Sequence, residues 1–398
     1  MSAQAGERPA ELSARRVTAS ATALLLAVTL PIYLIGAVAV NIREDFRFTS
    51  EELGLAVAAS FAIAAVLTPI SGRLIERIGV LTGIRIAIAA LSVSLIAIGT
   101  VVDSAAALIG CMALGGLAAG MGSPGFSALI AAGVPENRQG TAFGFLTSAP
   151  QMAAFMAGLA LPLIADPFGW RTTFLIAAAV GLAAVAALGS GGGLASRARV
   201  SARGVISLRR LQPIHVMALS AALASAAVIG MRSFLVVFVV TQDFSSGQAG
   251  LLLATTGLVA VVTRISLGFL GDRRPGDPVR RAALLMIVAA VGLGLMAVGT
   301  TTTIVAGAIL AGGVGWGWSA PMNHGVVQRY RDAPAAAIGT QLSGFYSGAV
   351  LGPLLVGVFV GAGAFTEAWL VSAGLALLAA TVALASRRMV RKDPAAAR

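Results

Sequence analysis

Residues 226–240 read AAVIGMRSFLVVFVV, and thirteen of these fifteen side chains are apolar or small. The exceptions are Ser233 and Arg232, so a permanently charged guanidinium stands in a run that otherwise belongs in oil. A second run, LVAVVTRISLGFLGDRR (258–274), repeats the pattern with Arg264. Neither run alternates apolar and polar residues, which argues for helix rather than half-buried strand. Across the 398 residues, 58% are hydrophobic and 11% charged, with a mean hydropathy of +0.91. A soluble domain carries about 25% charged residues. No soluble core hides this much apolar surface, so the solvent is a bilayer. There every backbone polar group must be paired within the chain, which leaves helices or a closed barrel. The expected class is all-α integral membrane.

A crossing helix needs roughly 20 apolar residues. On that measure twelve spans are predicted, near 21–41, 53–75, 81–102, 105–132, 140–163, 171–189, 214–240, 248–270, 280–299, 303–328, 337–361 and 367–386. Loop charges test the order. With the N-terminus in the cytoplasm, the inner segments collect arginines, among them Arg15, Arg16, Arg138, Arg197, Arg209, Arg280, Arg329 and Arg388. The outer segments hold mainly acids: Glu44, Asp45, Glu51, Glu52, Asp103, Asp243 and Glu367. This is the positive-inside asymmetry, with both termini cytoplasmic. The net charge of +12 therefore reports orientation, and no nucleic-acid partner is expected. Residues 1–20 read as a disordered cytoplasmic tail before an uncleaved first span, because no small-residue cleavage site follows a short apolar core. Residues 190–213, Gly/Ser-rich and basic, read as a cytoplasmic linker between a bundle over 21–189 and a bundle over 214–386. Residues 387–398 form a second tail. The single cysteine, Cys111, excludes an internal disulfide and reads as a small packing residue.

The chain repeats itself across the linker. GRLIERIG (72–79) echoes GFLGDRRPG (268–276), and GTAFGF (140–145) echoes GTQLSGF (339–345). GGLAAGMGSP (115–124) echoes GGVGWGWSAP (312–321) at a displacement of 197 positions, and Trp170 echoes Trp369. Four landmarks in one order imply two pseudo-symmetric six-helix bundles.

These residues resemble the Major Facilitator Superfamily of transporters over essentially the whole length. Gly72, Glu76, Arg77 and Gly79, and again Gly268, Asp272, Arg273 and Gly276, are similar to its loop signature Gly-x-Leu-x-Asp-Arg-x-Gly. The first copy has Glu76 where the family usually has Asp, and the second carries one additional residue before its last glycine. Within the superfamily the pattern is similar to bacterial permeases of small organic anions, the cyanate-permease-like and monocarboxylate-like groups. The resemblance implies alternating access by parallel six-helix halves in a bacterial inner membrane. Physically, an acid beside an arginine at a helix end can latch onto a neighbouring helix, and a glycine lets helices approach closely. Anchoring by positive charge alone is the other reading of Arg77 and Arg273.

The arginines carry the functional argument. Arg232 lies nine residues before Thr241, roughly 13 Å inward, and Arg264 eight before Asp272, roughly 12 Å inward. Both sit near the midplane of a hydrocarbon core roughly 30 Å thick. Stepping along helical turns through Arg264 gives Gly250, Ala254, Gly257, Val261, Gly268 and Gly271; back from Arg232 come Val228, Ser225, Ala221 and Ala218. Small residues mark packed faces, so both side chains are expected to point into the protein. A charge there costs about 3 kcal/mol or more unless paired or hydrated. No acid lies well inside any span. The counter-charge is then an anionic substrate, a carboxylate by the match to a guanidinium fork, or else helix carbonyls and water.

Tyr33, Gln151, Asn323, His324, Gln341 and Tyr346 are polar groups in the first, fifth, tenth and eleventh spans, which the resemblance places around a substrate path. Helix–helix hydrogen bonding is the alternative for each. Trp316 and Trp318 could wall that path or simply pack. His324 is the imidazole within a span, able to titrate near neutrality. No Gly-x-x-x-x-Gly-Lys loop is present and the sole lysine is Lys392, so the energy source is a gradient. A coupling proton or counter-anion is compatible with this. No cofactor or metal is expected, and two histidines offer no ligand cluster for an enzyme. The expectation is a monomeric secondary transporter of a small organic anion. Its rivals are efflux of hydrophobic or drug-like compounds and a transporter-like membrane sensor or assembly protein.

Overall fold

The computed structural model describes residues 7–46, 50–187, 212–244, 246–274 and 276–391. Most of the expected linker, with Arg197, Arg199, Arg203, Arg209 and Arg210, and the tail from Lys392 onward lie outside the described residues. The described chain is helical. We number its long helices α1 Glu7–Ala37, α2 Ser50–Ile78, α3 Val80–Thr100, α4 Ala105–Gly133, α5 Glu136–Ala160 and α6 Trp170–Ala187. The second series is α7 Gln212–Val240, α8 Ser246–Arg273, α9 Pro278–Val298, α10 Thr301–Arg329, α11 Pro334–Gly361 and α12 Phe365–Arg391. Among the described residues, ten of these helices are long and apolar enough to cross a membrane.

Local chemistry fixes the ends. Gly79 has φ +93°, a conformation that L side chains rarely adopt, so the last glycine of the first loop motif separates α2 from α3. Ser104 accepts the N–H of Ala107 at the start of α4, and Asp277 accepts those of Val279 and Arg280 at the start of α9. Left-handed Gly299 closes α9, and Thr300 with Thr303 forms a capping box that opens α10.

Two compact units result. The first comprises the helices up to Ala187 together with Tyr330–Gly339; the second holds the helices from Gln212 to Arg329 and from Thr340 onward. Within the first, α2 packs on α4, α1 on α5, and α3 on α4 and α6. In the second, α8 packs on α10, and α9 on α10 and α12, at corresponding places in the order. Glycines set the closest approaches. Gly116 of α4 lies against the Ser60 backbone of α2 with no room for a Cβ. In the second unit Gly344, Gly348 and Gly352 of α11 abut the carbonyls of Ala218, Ala222 and Ala226 in the same way.

Three expectations change. α1 begins at Glu7, with Ala14 and Val17 buried, so the stretch from Glu7 to Ser20 is helix rather than disordered tail. Its alanines and aliphatics let the apolar helix of the first span propagate backward. The fifth segment leaves the α-helix after Ala160, passing through a π-helical turn, Leu161–Ala165, and the short Asp166–Phe168. The tenth segment is not one regular helix either. It runs as α-helix over Thr301–Ala308, π-helix over Ile309–Val314, 3-10 helix over Gly315–Trp318 and α-helix again over Ser319–Arg329.

Candidate functional site

The irregular middle of α10 is where the sequence's two arginines meet the structure. Gly313 and Gly317 lie against the side chains of Val259 and Thr263 in α8, and a Cβ on Gly315 would stand 2.6–2.7 Å from Ala289 of α9. Packed this tightly between two helices, GGVGWGW abandons the i to i−4 ladder, and carbonyls that would point along the helix become available sideways. Arg264, 2% exposed, donates from Nη2 to the Trp316 carbonyl at 2.9 Å, and its Cζ stands 5.6 Å from the Trp316 ring centroid. Arg232, half-buried, donates from Nη1 to the Gly312 carbonyl at 3.3 Å and to Thr256 Oγ1 at 3.4 Å. Two guanidiniums from two helices thus converge on carbonyls four residues apart.

The face of α8 that carries Arg264 differs from the expected one. Its buried stripe is Ala249, Leu252, Thr256, Ala260, Arg264 and Gly268, whereas Gly250 is exposed, Gly257 is half-buried, and a Cβ on either would meet nothing within 4 Å. Small residues permit close packing but do not compel it; the contacts of Thr256, Val259 and Thr263 with α10 set the rotation.

An aromatic cluster continues from the arginine. Trp316 and Trp318 stand 6.1 Å apart edge to face, and Phe345 of α11 reaches both at 5.9 and 6.3 Å. Tyr346 completes it, 5.5 Å from Phe345. Asn323 and Gln341 are 5% and 1% exposed, and among the described residues neither Asn323 Oδ1 nor Gln341 Oε1 has a hydrogen-bond partner; the same holds for the indole nitrogens of Trp316 and Trp318. His324 is buried, with its Nε2 2.9 Å from Nε2 of Gln328 one turn on. Of the other candidates, Tyr33 on α1 is exposed and Gln151 on α5 half-buried; both belong to the first unit.

The two loop motifs diverge. In the first, Glu76 accepts the backbone N–H of Ala336 at 3.0 Å, at the start of α11, where the helix dipole favours an anion. Gly72 lies against the Ala335 carbonyl, and Arg331 pairs with Glu136 at 2.6 Å. Arg77 is exposed. In the second motif, buried Gly268 and half-buried Asp272 end α8, and exposed Arg273 lies over the Phe269 ring at 3.9 Å. That loop is gathered by Arg281, whose Nη2 donates to the Arg274 carbonyl, and by an ion pair between Asp277 and Arg387. Arg281 and Arg387 had no role in the sequence reading beyond positive charge. The Asp277–Pro278 pair was a helix-start signal that could have been read.

A sequence profile of the Major Facilitator Superfamily matches residues 21–341. The quinolone resistance protein NorA of Staphylococcus aureus (strain MRSA252) is 30% identical over 162 residues, which are 40% of this chain and 38% of that relative. The match thus spans under two-fifths of NorA. Among solved structures, the human organic anion transporter MFSD10 (TETRAN) superposes with a TM-score of 0.73 at 16% identity, covering 93% of this chain and 99% of that one. The proton:xylose symporter XylE bound to 6-bromo-6-deoxy-D-glucose superposes at 0.75 and 16% identity, covering 93% and 95%. At such identity these two speak for the fold alone.

Proposed function

The chain belongs to the Major Facilitator Superfamily, and we propose that it is a secondary transporter moving a small organic anion, a carboxylate, by alternating access. One observation carries the reading: Arg232 and Arg264, at mid-depth, both spend donors on backbone carbonyls of the broken segment of α10. A neutral carbonyl is a weaker acceptor for a guanidinium than an ionised carboxylate, which adds a full opposite charge and takes two parallel N–H bonds. An entering anion therefore displaces Gly312 and Trp316 from the guanidiniums. The freed carbonyls must find partners by rewinding or shifting α10, so occupancy changes the relative energy of the transporter's states, as transport requires. Glu76 on the first turn of α11 supports a latch that substrate-driven movement opens. We also read residues 21–189 and 214–386 as the two bundles joined by 190–213, with both termini cytoplasmic, in a bacterial plasma membrane.

The test is a thermal-shift screen of the purified protein against acetate, lactate and benzoate, alongside Arg264→Gln and Arg232→Gln. Saturable stabilisation that both substitutions weaken supports the reading; equal stabilisation of wild type and both variants rejects it. A second reading, extrusion of hydrophobic or drug-like compounds, draws on the NorA similarity. It requires stabilisation by uncharged aromatic compounds that neither substitution affects.

A further inference from the structure

We infer that the anion is an aromatic carboxylate carrying a hydrogen-bonding group at the end remote from its charge; this rests on the anion reading above. α10 and α11 run antiparallel, because four residues separate Arg329 from Pro334. Trp318 stands eleven residues from the end of α10, and Phe345 eleven from the start of α11, so their rings meet at one level, as the 6.3 Å centroid distance records. Arg264 is held at that level by the Trp316 carbonyl and ring. Cation and rings therefore form one wall. A flat aromatic acid can meet it with its carboxylate on the guanidinium and its face or edge on an indole or on half-buried Phe345.

One level lower stand two amides. Gln341 precedes Phe345 by one helical turn and so shares its face, about 6 Å along the axis. Asn323 lies six residues from the end of α10 and Gln341 seven from the start of α11, which again places them at one height. Their carbonyl oxygens are buried without partners among the described residues, as are the indole nitrogens above. Such orphaned groups are uncommon in native proteins and each costs free energy, so these four, three on α10 and one on α11, gain from a ligand that supplies a partner. A benzene ring spans about the same 6 Å from the carboxylate on its first carbon to a hydroxyl on its fourth. That hydroxyl then reaches the amide layer while the acid stays on Arg264.

The experiment measures dissociation constants of the full-length protein in detergent by calorimetry for benzoate, cyclohexanecarboxylate, 4-hydroxybenzoate and benzyl alcohol. Benzoate and cyclohexanecarboxylate match in charge and nearly in size, so their ratio isolates the ring. Benzoate is expected to bind roughly three- to tenfold tighter, the gain that one aromatic pair supplies. 4-Hydroxybenzoate is expected to improve on benzoate by roughly tenfold, as relief of a buried unpaired polar group allows. Phe345→Leu should bring the first ratio towards one, and Gln341→Leu the second. Equal affinities for benzoate and cyclohexanecarboxylate, both weakened by Arg264→Gln, overturn this inference and leave the anion reading standing. Equal affinities for benzoate and 4-hydroxybenzoate overturn the role of the amide layer. Benzyl alcohol binding as tightly as benzoate, with Arg264→Gln without effect, or no saturable binding of any carboxylate, sinks the anion reading and this inference with it.

Discussion

α4 and α10 carry the same glycine-rich stretch, GGLAAGMGSP and GGVGWGWSAP, and fold it differently. α4 stays α-helical from Ala105 to Gly133, even through Pro124. Its carbonyls at Met112 and Gly120 accept the hydroxyls of Ser60 and Ser71 from α2, at 2.5 and 2.6 Å. α10 breaks at the same place in its repeat, and its carbonyls at Gly312 and Trp316 accept guanidinium donors instead. Six of the ten positions differ, and three of them change size most: Ala118, Ala119 and Met121 in the first copy become Gly315, Trp316 and Trp318 in the second. Arg264 stands 196 positions after Thr68, the displacement that also separates Gly72 from Gly268. Thr68 satisfies its hydroxyl on Ala64 within its own helix, and Arg264 cannot. The scaffold is thus duplicated while the charge and the helix break occur together in one unit only. They belong together because a buried guanidinium needs several acceptors, and the broken helix turns its carbonyls towards it.

The largest effect expected from this asymmetry is on binding. Arg264→Gln should weaken carboxylate affinity by roughly 10- to 100-fold, the worth of one charged hydrogen bond, while Thr68→Val changes it less than about threefold, both read by calorimetry. If the two substitutions prove equal, the units are not chemically distinct. A stability test comes next. Gly315→Ala pushes a methyl into the Ala289 backbone and should lower the thermal midpoint by roughly 2–6 °C. Its counterpart Ala118 already carries that methyl, fully buried, so Ala118→Gly should cost roughly 1 kcal/mol of helix propensity and roughly 1 kcal/mol more for the lost methyl burial. A smaller contrast concerns the loops. Glu76→Gln should speed hydrogen exchange at Ala336 severalfold, and Asp272→Asn should leave it unchanged, because the Ala336 N–H donates to Glu76. The smallest effect concerns the paired tryptophans. Trp170 donates to Asp45 at 2.7 Å, whereas Trp369, packed against Phe238 and Phe365, has no acceptor for its indole nitrogen among the described residues. Asp45→Ala should therefore lower the midpoint by about 1–2 °C, the worth of one hydrogen bond.

Much of this was legible in the residues. Apolar length yields the spans, the motif glycine at 79 ends α2 because its φ is positive, and residue counting places Arg232 and Arg264 well inside their helices. The rotation of α8 was not legible. Gly250, Ala254 and Gly257 form as good a small-residue stripe as Thr256 and Ala260, and only the fit of Val259 and Thr263 against Gly313 and Gly317 decides between them. Nor was the partner of Glu76, a backbone N–H 260 residues away. Main-chain donors and acceptors are the same at every position, so no side-chain pattern reveals which become free.

By itself, the sequence determined the solvent, the helical class, the internal duplication and where two cations fall along their helices, since apolar length, charge placement and helical rise are additive along the chain. Only the tertiary structure decided what those cations hold, where α10 loses its regular ladder, and which aromatic rings gather beside Arg264. Those outcomes depend on how closely helices distant in sequence approach, and distances of that kind are set by side chains from all of them at once.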